Sequence, residues 1–276
     1  MPILTIGAAG KFAGLVIPAL AERGARVRGL VRKPEQAEQV RSHGAAEIAV
    51  GDLGDRASLD AALHGIDAVF YVAPAFLPGE AEVGKSMVDA AIRAGVRRFV
   101  FSSVIHPVLG GLINHAAKAF VEEAVLNSDL EYTFLHPTLY FQNYAAIWLQ
   151  IVQSGVLAEP WSADTRFTRV DYRDVAEVAA IALTEDRLLY GTFELCSAGN
   201  LNRREVASLI GGVLGREIRV ERTEPDAFGQ VPQPIKTMFR HYDHHGLLGS
   251  PLTLRAILGR EPRALHAYFE ELAAAE

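Results

Sequence analysis

The sequence predicts an α/β fold, a doubly wound parallel sheet with a smaller α/β lobe toward the C-terminus. Three observations predict it: short apolar runs bounded by glycine or proline, helical periodicity between the runs, and a glycine turn after the first run. Such runs are typical of buried parallel strands, and the helices between them supply right-handed crossovers. The predicted strands are residues 3–6, 25–32, 48–50, 68–74, 98–104 and 130–135.

The glycine turn joins the first strand to the first helix. It reads Gly7-Ala8-Ala9-Gly10-Lys11-Phe12-Ala13, and a second strand follows within about 30 residues, as in dinucleotide-binding units. Gly7 allows a sharp turn, Gly10 allows backbone N–H groups to approach a ligand, and Ala13 allows close helix packing. The turn and the helix start are predicted to bind a pyrophosphate; an ordinary strand-to-helix turn is the alternative. Pro18 is expected to kink the helix.

Basic residues end the second predicted strand. Arg32 and Lys33 stand where an acidic residue would hold the ribose 2′-hydroxyl of NAD, and an arginine there accommodates a 2′-phosphate. We therefore predict a preference for NADP(H), with a solvated basic loop as the alternative. Asp52 and Leu53, after the third strand, are predicted to flank adenine. The alternative for Asp52 is a turn aspartate that bonds its own backbone.

Further candidate residues follow the later strands, because ligands bind at the carboxyl ends of parallel strands. These are Val72, Ala73 and Pro74 after the fourth strand, and Ser102 with Ser103 after the fifth. The next predicted helix, residues 114–127, carries Asn114 and Lys118 four residues apart, so they share one face.

Composition sets limits on function. The 276 residues are half hydrophobic with a formal net charge of −6, so a general affinity for nucleic acid is not expected. The single cysteine, Cys196, excludes an intrachain disulfide and is expected to be a buried small residue, with redox sensing as the alternative. No apolar run approaches the length that spans a bilayer, and the first strand begins too early for a signal peptide. We expect a cytoplasmic protein, monomeric or homodimeric.

Several motifs in order resemble the NmrA-like group of atypical short-chain dehydrogenases/reductases. The resemblance runs nearly from end to end, and the motifs are Gly7–Ala13, residues 30–34, residues 51–53, residues 102–104, residues 115–118, residues 121–123, residues 132–137, residues 141–143, residues 171–176 and residues 258–262. It implies a Rossmann-type NAD(P)-binding domain at residues 1–155, with segments of about 168–200 returning to it. Residues 156–276 would then form mainly the smaller substrate-binding lobe. The family includes triphenylmethane and quinone reductases, isoflavone-reductase-type enzymes and cofactor-sensing regulators.

The resemblance implies roles for individual residues. Lys118 would bond the nicotinamide ribose hydroxyls, and Asn143 and Tyr140 would contact the substrate. The other cofactor residues that it implies are Gly7, Gly10, Lys11, Phe12, Ala13, Arg32, Asp52, Leu53, Ala73, Pro74, Pro137, Thr138 and Phe141. Ala9, Lys33, Val72 and Ser102 are predicted cofactor contacts from their places in the turn and at the strand ends.

One departure from the wider superfamily bears on chemistry. Typical short-chain dehydrogenases carry Tyr-x-x-x-Lys, in which the tyrosine passes a proton, but the residue four before Lys118 is Asn114. Hydride transfer to a conjugated acceptor, such as a quinone or a dye, needs less help from a positioned acid. His115, Tyr140 or water are the candidate proton donors, with a surface helix residue as the alternative for His115.

In the C-terminal part, Asp174 is predicted to cap a helix at residues 175–183 and Asn202 a helix at residues 203–214, and the last helix is predicted to begin at residues 261–263.

Apolar and aromatic residues are predicted to wall a substrate pocket, with core packing as the alternative. The set runs from Tyr140 to Trp161 and includes Phe228, Met238 and Phe239. The run His241-Tyr-Asp-His-His245 has metal-ligand types but no regular helical spacing in the prediction, so we favour a mobile lid loop and predict no metal site.

Two functions remain open from the sequence. The first is an NADPH-dependent reductase that transfers a hydride to a small, apolar, conjugated substrate. The second is a non-catalytic NADP(H) sensor that acts through a protein partner, and an epimerase-like activity on a sugar nucleotide ranks third.

Overall fold

The computed structural model describes residues 1–74, 76–224 and 231–275. The chain forms two compact units. The first contains Met1–His136 and Val175–Phe193, and the second contains Pro137–Asp174 and the chain from Glu194 onward. The first unit therefore ends its first segment at His136, nearer the N-terminus than residue 155.

The strands of both units are short. In chain order they are β1 (Pro2–Thr5), β2 (Arg26–Val31), β3 (Glu47–Val50), β4 (Ala68–Val72), β5 (Arg98–Ser102), β6 (Glu131–Pro137), β7 (Leu139–Tyr140), β8 (Val156–Glu159), β9 (Arg169–Val170), β10 (Gly191–Leu195) and β11 (Arg219–Arg222). Among the described residues, seven of them form one sheet in the order β10-β6-β5-β4-β1-β2-β3. The pairings from β3 through β6 are all parallel. The order reverses direction at β1, as in doubly wound folds, and the predicted fold class is confirmed.

The helices are α1 (Val16–Glu22), α2 (Ala37–Ser42), α3 (Arg56–Leu63), α4 (Glu80–Arg93), α5 (Ile113–Leu126), α6 (Trp148–Ser154), α7 (Tyr172–Thr184), α8 (Arg203–Leu214), α9 (Gln233–His245), α10 (Leu252–Leu258) and α11 (Leu265–Ala274). Within the described ranges, none of these helices has the length and hydropathy that a membrane crossing requires.

The first unit encloses a core built from the sheet and the helices α3, α4 and α5. Aromatic residues of neighbouring strands meet there, with the rings of Tyr71 and Phe101 stacked at a centroid distance of 5.3 Å. Phe99 and Phe134 are also almost fully buried. Each such side chain contributes roughly 1.5–3 kcal/mol relative to an exposed one. This packing fixes the strands whose carboxyl ends carry the candidate site.

The structure corrects the expected starts of α1 and α7. A 3-10 turn, Ala13–Leu15, precedes α1, so Pro18 lies in the first turn of α1, where its missing N–H has no intrahelical partner to lose. The premise of the predicted kink, a proline beyond the first turn, is therefore wrong. Helix α7 begins at Tyr172 and not after Asp174, because Asp171 accepts a hydrogen bond from the Arg173 backbone at 2.8 Å.

The predictions for other helix ends are mixed. The cap of α8 is confirmed, since Asn202 accepts from the Glu205 backbone and Glu205 bonds back to the Asn202 N–H. The last helix begins at Leu265, later than the predicted start at residue 261. In the second unit, β8 and β11 pair in parallel as a small separate sheet.

Candidate functional site

The turn after β1 is tight and depends on its two glycines. Gly7 has φ of 72°, and the Gly10 N–H donates to the Gly7 carbonyl at 2.7 Å. A Cβ at position 10 would lie 2.9 Å from that carbonyl oxygen, closer than real Cβ contacts allow. Gly7 and Gly10 are exposed whereas Ala13 is 2% exposed. The backbone of the turn is therefore open to solvent at both glycines, and the buried Ala13 anchors the end of the turn.

The turn is not followed directly by an α-helix, although the start of an α-helix was expected to face the anion. Since α1 begins only at Val16, the turn and the 3-10 segment would form the cradle, and the helix dipole would contribute less. Lys11 is exposed and its ammonium lies 5.7 Å from the Phe12 ring centroid. Partial burial lowers the pKa of Lys11. Ala9 and Phe12 are partly buried.

Arg32 lies just beyond the end of β2 with 81% of its side chain exposed. Its Nε is 3.4 Å from Oδ2 of Asp52, which follows β3. The Gln36 side-chain oxygen accepts from the backbone N–H groups of Arg32 and Lys33, each at 3.1 Å. The loop after β2 is thus fixed by Gln36, and the Arg32 guanidinium remains accessible to a ligand phosphate.

Asp52 forms the turn expected of the alternative prediction. Its Oδ1 accepts from the Gly54 backbone at 2.8 Å, and its own N–H donates to the Ser58 hydroxyl at 3.0 Å. Leu53 is half-buried beside it. An aspartate held this way can still accept from an adenine amino group, so the adenine role stays a prediction. A cavity of about 340 Å³ adjoins Leu53 and Gly54, between α3 and α4.

The predicted residues at the ends of β4 and β5 differ in their exposure to solvent. Val72 lies beside Gly7, since a Cβ on Gly7 would be 3.6 Å from the valine side chain. Ala73 is 8% exposed and Pro74 is exposed. Ser102 is 1% exposed, so both its backbone and its side chain are closed to solvent.

Lys118 forms a buried ion pair that the sequence did not reveal. Its Nζ donates to Glu80 Oε1 at 2.6 Å and to the Asn114 carbonyl at 3.2 Å. The side chains are 12% and 6% exposed. Glu80 is the first residue of α4, after Gly79 in a left-handed conformation. Because the pair joins two helices, the ammonium is held in one place near the carboxyl ends of the strands.

His115 is fully buried, which contradicts the alternative of a surface residue. Its Nδ1 lies 3.1 Å from the His106 carbonyl oxygen. Burial lowers the pKa of His115 to about 4, with the charge of Lys118 acting in the same direction. The imidazole is therefore neutral at physiological pH and is unsuited to donate a proton there.

A second buried network links β5, α5 and β6. The Ser103 hydroxyl donates to Oε1 of Glu122, and Nε2 of His136 lies 2.8 Å from the same oxygen. Ser103 and His136 are 2% and 7% exposed. In the sequence, this network is indicated only by the position of Glu122, one turn after Lys118 on α5. The network fixes the ends of two strands beside the ion pair of Lys118.

The predicted residues from 137 to 143 lie in the second unit, and most are used for packing. Pro137 is buried, and the Thr138 hydroxyl donates to the Thr168 carbonyl at 2.9 Å. Phe141 is 1% exposed and packs in the core, with its ring centroid 5.9 Å from that of Tyr268. Core packing, the stated alternative, therefore describes Phe141, and Asn143 is the exposed member of the group.

Tyr140 packs edge-on against Tyr172 at a centroid distance of 4.9 Å. Desolvation raises the pKa of its phenol well above the ordinary value, with smaller effects of Tyr172 and Tyr242. A phenol with a raised pKa is a weaker acid, so Tyr140 is a poor proton donor at neutral pH. Its role as a substrate contact stays a prediction.

The histidine run lies on a helix, so the lid-loop prediction is wrong. Residues 241–245 form the last turn of α9, where His241 and His245 share a face with ring centroids 4.7 Å apart. Across residues 1–74, 76–224 and 231–275, no group of three His, Cys, Asp or Glu side chains is placed to hold a metal ion. Met238 is half-buried on α9, and Phe228 lies outside the described residues.

Cys196 follows β10 and is fully buried. Burial raises the pKa of its thiol to about 12, so the thiolate is not populated at physiological pH. The expectation of a buried small residue is confirmed, and the redox-sensing alternative lacks the accessible thiolate that it requires.

Comparisons with known proteins identify the family. The NmrA-like family matches residues 2–272. A (4-alkanoyl-5-oxo-2,5-dihydrofuran-3-yl)methyl phosphate reductase of Streptomyces griseus is 31% identical over 99% of this chain and 98% of its own length. An NAD(P)H azoreductase of Xenophilus azovorans is 29% identical over 79% of this chain and 75% of its own. The crystal structure of Citrobacter sp. triphenylmethane reductase complexed with NADP(H) covers the whole of both chains with a TM-score of 0.87 and 20% identity. The chain belongs to the NmrA-like family.

Proposed function

We propose that this protein is an NADPH-dependent reductase that transfers a hydride to a small, conjugated acceptor. The observation that carries the proposal is the combination at the strand ends of the first unit. An exposed glycine turn and an exposed Arg32 are present, whereas position 114 on α5 holds Asn where a catalytic tyrosine would stand. The site is thus suited to bind the cofactor but lacks the phenol that alcohol–ketone interconversion uses.

The cofactor is held by residues of the first unit. The Gly7–Ala13 turn cradles the pyrophosphate with backbone N–H groups, and Arg32 pairs with the 2′-phosphate of NADP(H). Asp52 and Leu53 lie at the adenine end. Lys118, kept in place by Glu80, donates to the ribose hydroxyls on the nicotinamide side. The NADP(H) in the Citrobacter sp. reductase supports this choice of cofactor.

The bound cofactor supplies the hydride, and the protein aligns the acceptor and excludes water. A conjugated acceptor spreads the incoming electron pair over its own π system, so it needs no acid in the same step. His115, with its lowered pKa, and Tyr140, with its raised pKa, both favour a proton that comes later from water. The three relatives act on an unsaturated lactone, azo compounds and triphenylmethane dyes, and such acceptors support the proposal.

The test is NADPH consumption with a panel of acceptors: a quinone, an azo dye, a triphenylmethane dye, a dihydrofuranone and a simple ketone. We expect turnover with at least one conjugated acceptor and none with the ketone. Lys118→Met should lower kcat/KM by about ten- to hundredfold, since it removes a charge-assisted bond to the ribose. Lys85→Met, at an exposed lysine paired with Glu82, is the matched control and should leave kcat/KM unchanged.

The sensor alternative makes the opposite prediction. Tight NADPH binding without turnover of any acceptor would contradict the reductase and favour a regulatory protein that reports the cofactor state to a partner.

A further inference from the structure

Glu80 is a buried carboxylate at the start of α4, in the first unit. It follows Gly79, which is left-handed with φ of 71°, and its N–H donates to the Leu77 carbonyl at 3.0 Å. The helix dipole favours a negative charge in this first turn. Because α4 follows β4 of the parallel sheet, its first residue lies toward the carboxyl end of that strand, where ligands bind in such sheets.

The ion pair with Lys118 uses only part of the hydrogen-bonding capacity of each group. Oε1 of Glu80 accepts from the Lys118 ammonium at 2.6 Å, and the ammonium also donates to the Asn114 carbonyl at 3.2 Å. An ammonium can donate three hydrogen bonds and a carboxylate can accept about four. Among the described residues, Oε2 of Glu80 and the third N–H of Lys118 have no hydrogen-bond partner. One donor and one acceptor therefore remain next to each other.

Such spare capacity is unusual for a carboxylate that is 6% exposed. By contrast, both oxygens of the buried Asp174 are occupied, one by Arg260 and the other by the Arg263 backbone. The Tyr71 hydroxyl does not bond to Glu80. It is buried without a partner in the described part of the chain, although burial and then the charge of Glu80 raise the pKa of Tyr71. A buried acceptor that no donor reaches costs free energy, so this oxygen calls for a ligand or a water molecule.

The chemistry of the pair matches a vicinal diol. Each hydroxyl of a diol can donate and accept, so one hydroxyl can accept from an ammonium while its neighbour donates to a carboxylate. Both bonds are charge-assisted, and such bonds are about twice as strong as neutral ones. The ribose next to nicotinamide carries a diol of this kind.

We propose that Glu80 is itself a cofactor-binding residue, which accepts a hydrogen bond from one hydroxyl of the nicotinamide ribose while Lys118 donates to the other. The inference rests on the proposed function, since that function assigns the nicotinamide ribose to Lys118. It goes beyond the role of Glu80 in holding Lys118 in place. The ion pair then recognises the ribose at two points, one cationic and one anionic.

The test is calorimetric titration of Glu80→Gln with NADP⁺ and with adenosine 2′,5′-bisphosphate, which lacks the nicotinamide ribose. We expect NADP⁺ to bind about tenfold more weakly than to the wild type, since one charge-assisted bond is lost. The bisphosphate should bind as it does to the wild type, which also shows that the variant is folded. Glu123→Gln, at an exposed glutamate of α5, is the matched control and should change neither affinity. Unchanged NADP⁺ binding in Glu80→Gln, or an equal loss with the bisphosphate, would overturn the inference.

Two NADP⁺ analogues separate a direct contact from an effect through Lys118. One lacks the 2′-hydroxyl of the nicotinamide ribose and the other lacks its 3′-hydroxyl. The loss in Glu80→Gln should vanish with one analogue, and the loss in Lys118→Met should vanish with the other. If both losses vanish with the same analogue, Glu80 acts only by positioning Lys118, and the inference is overturned.

Turnover separates this result from the reductase proposal. If a conjugated acceptor is reduced but Glu80→Gln binds NADP⁺ as the wild type does, only this inference fails. If Glu80 and Lys118 respond to different hydroxyls and no acceptor is reduced, the reductase proposal fails and the ribose contact stands.

Discussion

The charged residues at two strand ends of the first unit differ in burial from a group of charged residues in the second unit. In the first unit, the charged groups beyond β2 and β3 are exposed, with Arg32 and Asp52 showing 81% and 54% of their side chains to solvent. In the second unit, Asp171 and Asp174 are fully buried and Arg203 is 1% exposed. Gln142 and Arg173 bond to Asp171, and Arg260 and Arg263 bond to Asp174.

This difference separates charges that hold a fold together from charges that remain available to a ligand. A buried carboxylate surrounded by donors has no capacity left, whereas an exposed arginine at a strand end has. The ion pair of Lys118 and Glu80 lies between these cases, since it is buried but borders the strand ends. Substitutions of the buried charges are predicted to lower stability, and substitutions of the exposed charges at the strand ends are predicted to change cofactor affinity.

The largest effect is expected at Asp174. Its carboxylate accepts from Arg260 at 2.9 Å, from the Arg263 backbone at 2.7 Å and from the Arg263 side chain. Asp174→Ala removes a buried acceptor of three charge-assisted hydrogen bonds and should lower the free energy of unfolding by about 3–5 kcal/mol. Urea denaturation measures this. Asp164→Ala, at an exposed carboxylate paired with Arg204, should cost less than about 1 kcal/mol. Similar costs for the two variants would break the comparison.

The next effect concerns pH and tests a buried group of the first unit. The pKa of His115 is lowered to about 4 in the folded protein, below the ordinary value of 6.5, so the unfolded chain takes up the proton first. The contribution of the neutral His115 to the free energy of unfolding is therefore fully present above pH 6.5. It is lost as the pH falls to 4, and the loss is about 3 kcal/mol. Urea denaturation at several pH values in this range should show a smaller fall in the free energy of unfolding for His115→Gln than for the wild type.

The control for this pH dependence is His64→Gln. His64 is exposed, so its replacement should leave the acid sensitivity of the protein as it is. An unchanged profile in His115→Gln would show that the buried imidazole is not the group that titrates.

A smaller effect, on affinity and not on stability, is expected at the glycine turn. Gly10→Ala places a Cβ 2.9 Å from the Gly7 carbonyl and forces the loop to shift. Loss of one or two backbone bonds to phosphate should weaken NADPH binding by about ten- to hundredfold in fluorescence titrations. Gly110→Ala has open space around the new Cβ and is the matched control. Unchanged NADPH affinity in Gly10→Ala would exclude the turn as the cradle.

The smallest effect is expected from Asp52→Asn, and it is a gain. The Asn side-chain oxygen can still accept from the Gly54 N–H, but the negative charge near Arg32 is removed. NADPH should bind about two- to threefold more tightly, since a repulsion with the 2′-phosphate disappears, and NADH should be unaffected. Asp129→Asn, an exposed residue elsewhere in the unit, serves as control. Weaker binding of both NADPH and NADH would instead indicate that the bond from the carboxylate to adenine outweighs its repulsion of the 2′-phosphate.

The sequence predicts those parts of the molecule that depend on local patterns. The parallel strands, the glycine turn and Asn202 as a cap involve residues close together in the chain. The start of α7 was missed because Asp171 bonds the Arg173 backbone one turn earlier than the predicted cap. Helix α11 begins after Ala264, which has no capping side chain that the sequence could have shown. Helix α9 was missed because its histidine-rich end suggests a loop, although a proline precedes its first residue.

The candidate site was predicted in part for the same reason. Arg32 could be recognised from its place at a strand end. Glu80 could not, because it lies 38 residues from Lys118 and only the packing of α4 against α5 joins them. Phe141 illustrates the converse, since its motif suggested a ligand contact and its burial assigns it to the core.

The choice of cofactor by Arg32 is tested by calorimetric titration of the wild-type protein and Arg32→Gln with NADPH and with NADH. We predict that the wild type binds NADPH about tenfold more tightly than NADH, and that the variant loses this difference while its NADH affinity stays the same. Equal affinities in the wild type, or no binding of either cofactor, would contradict it.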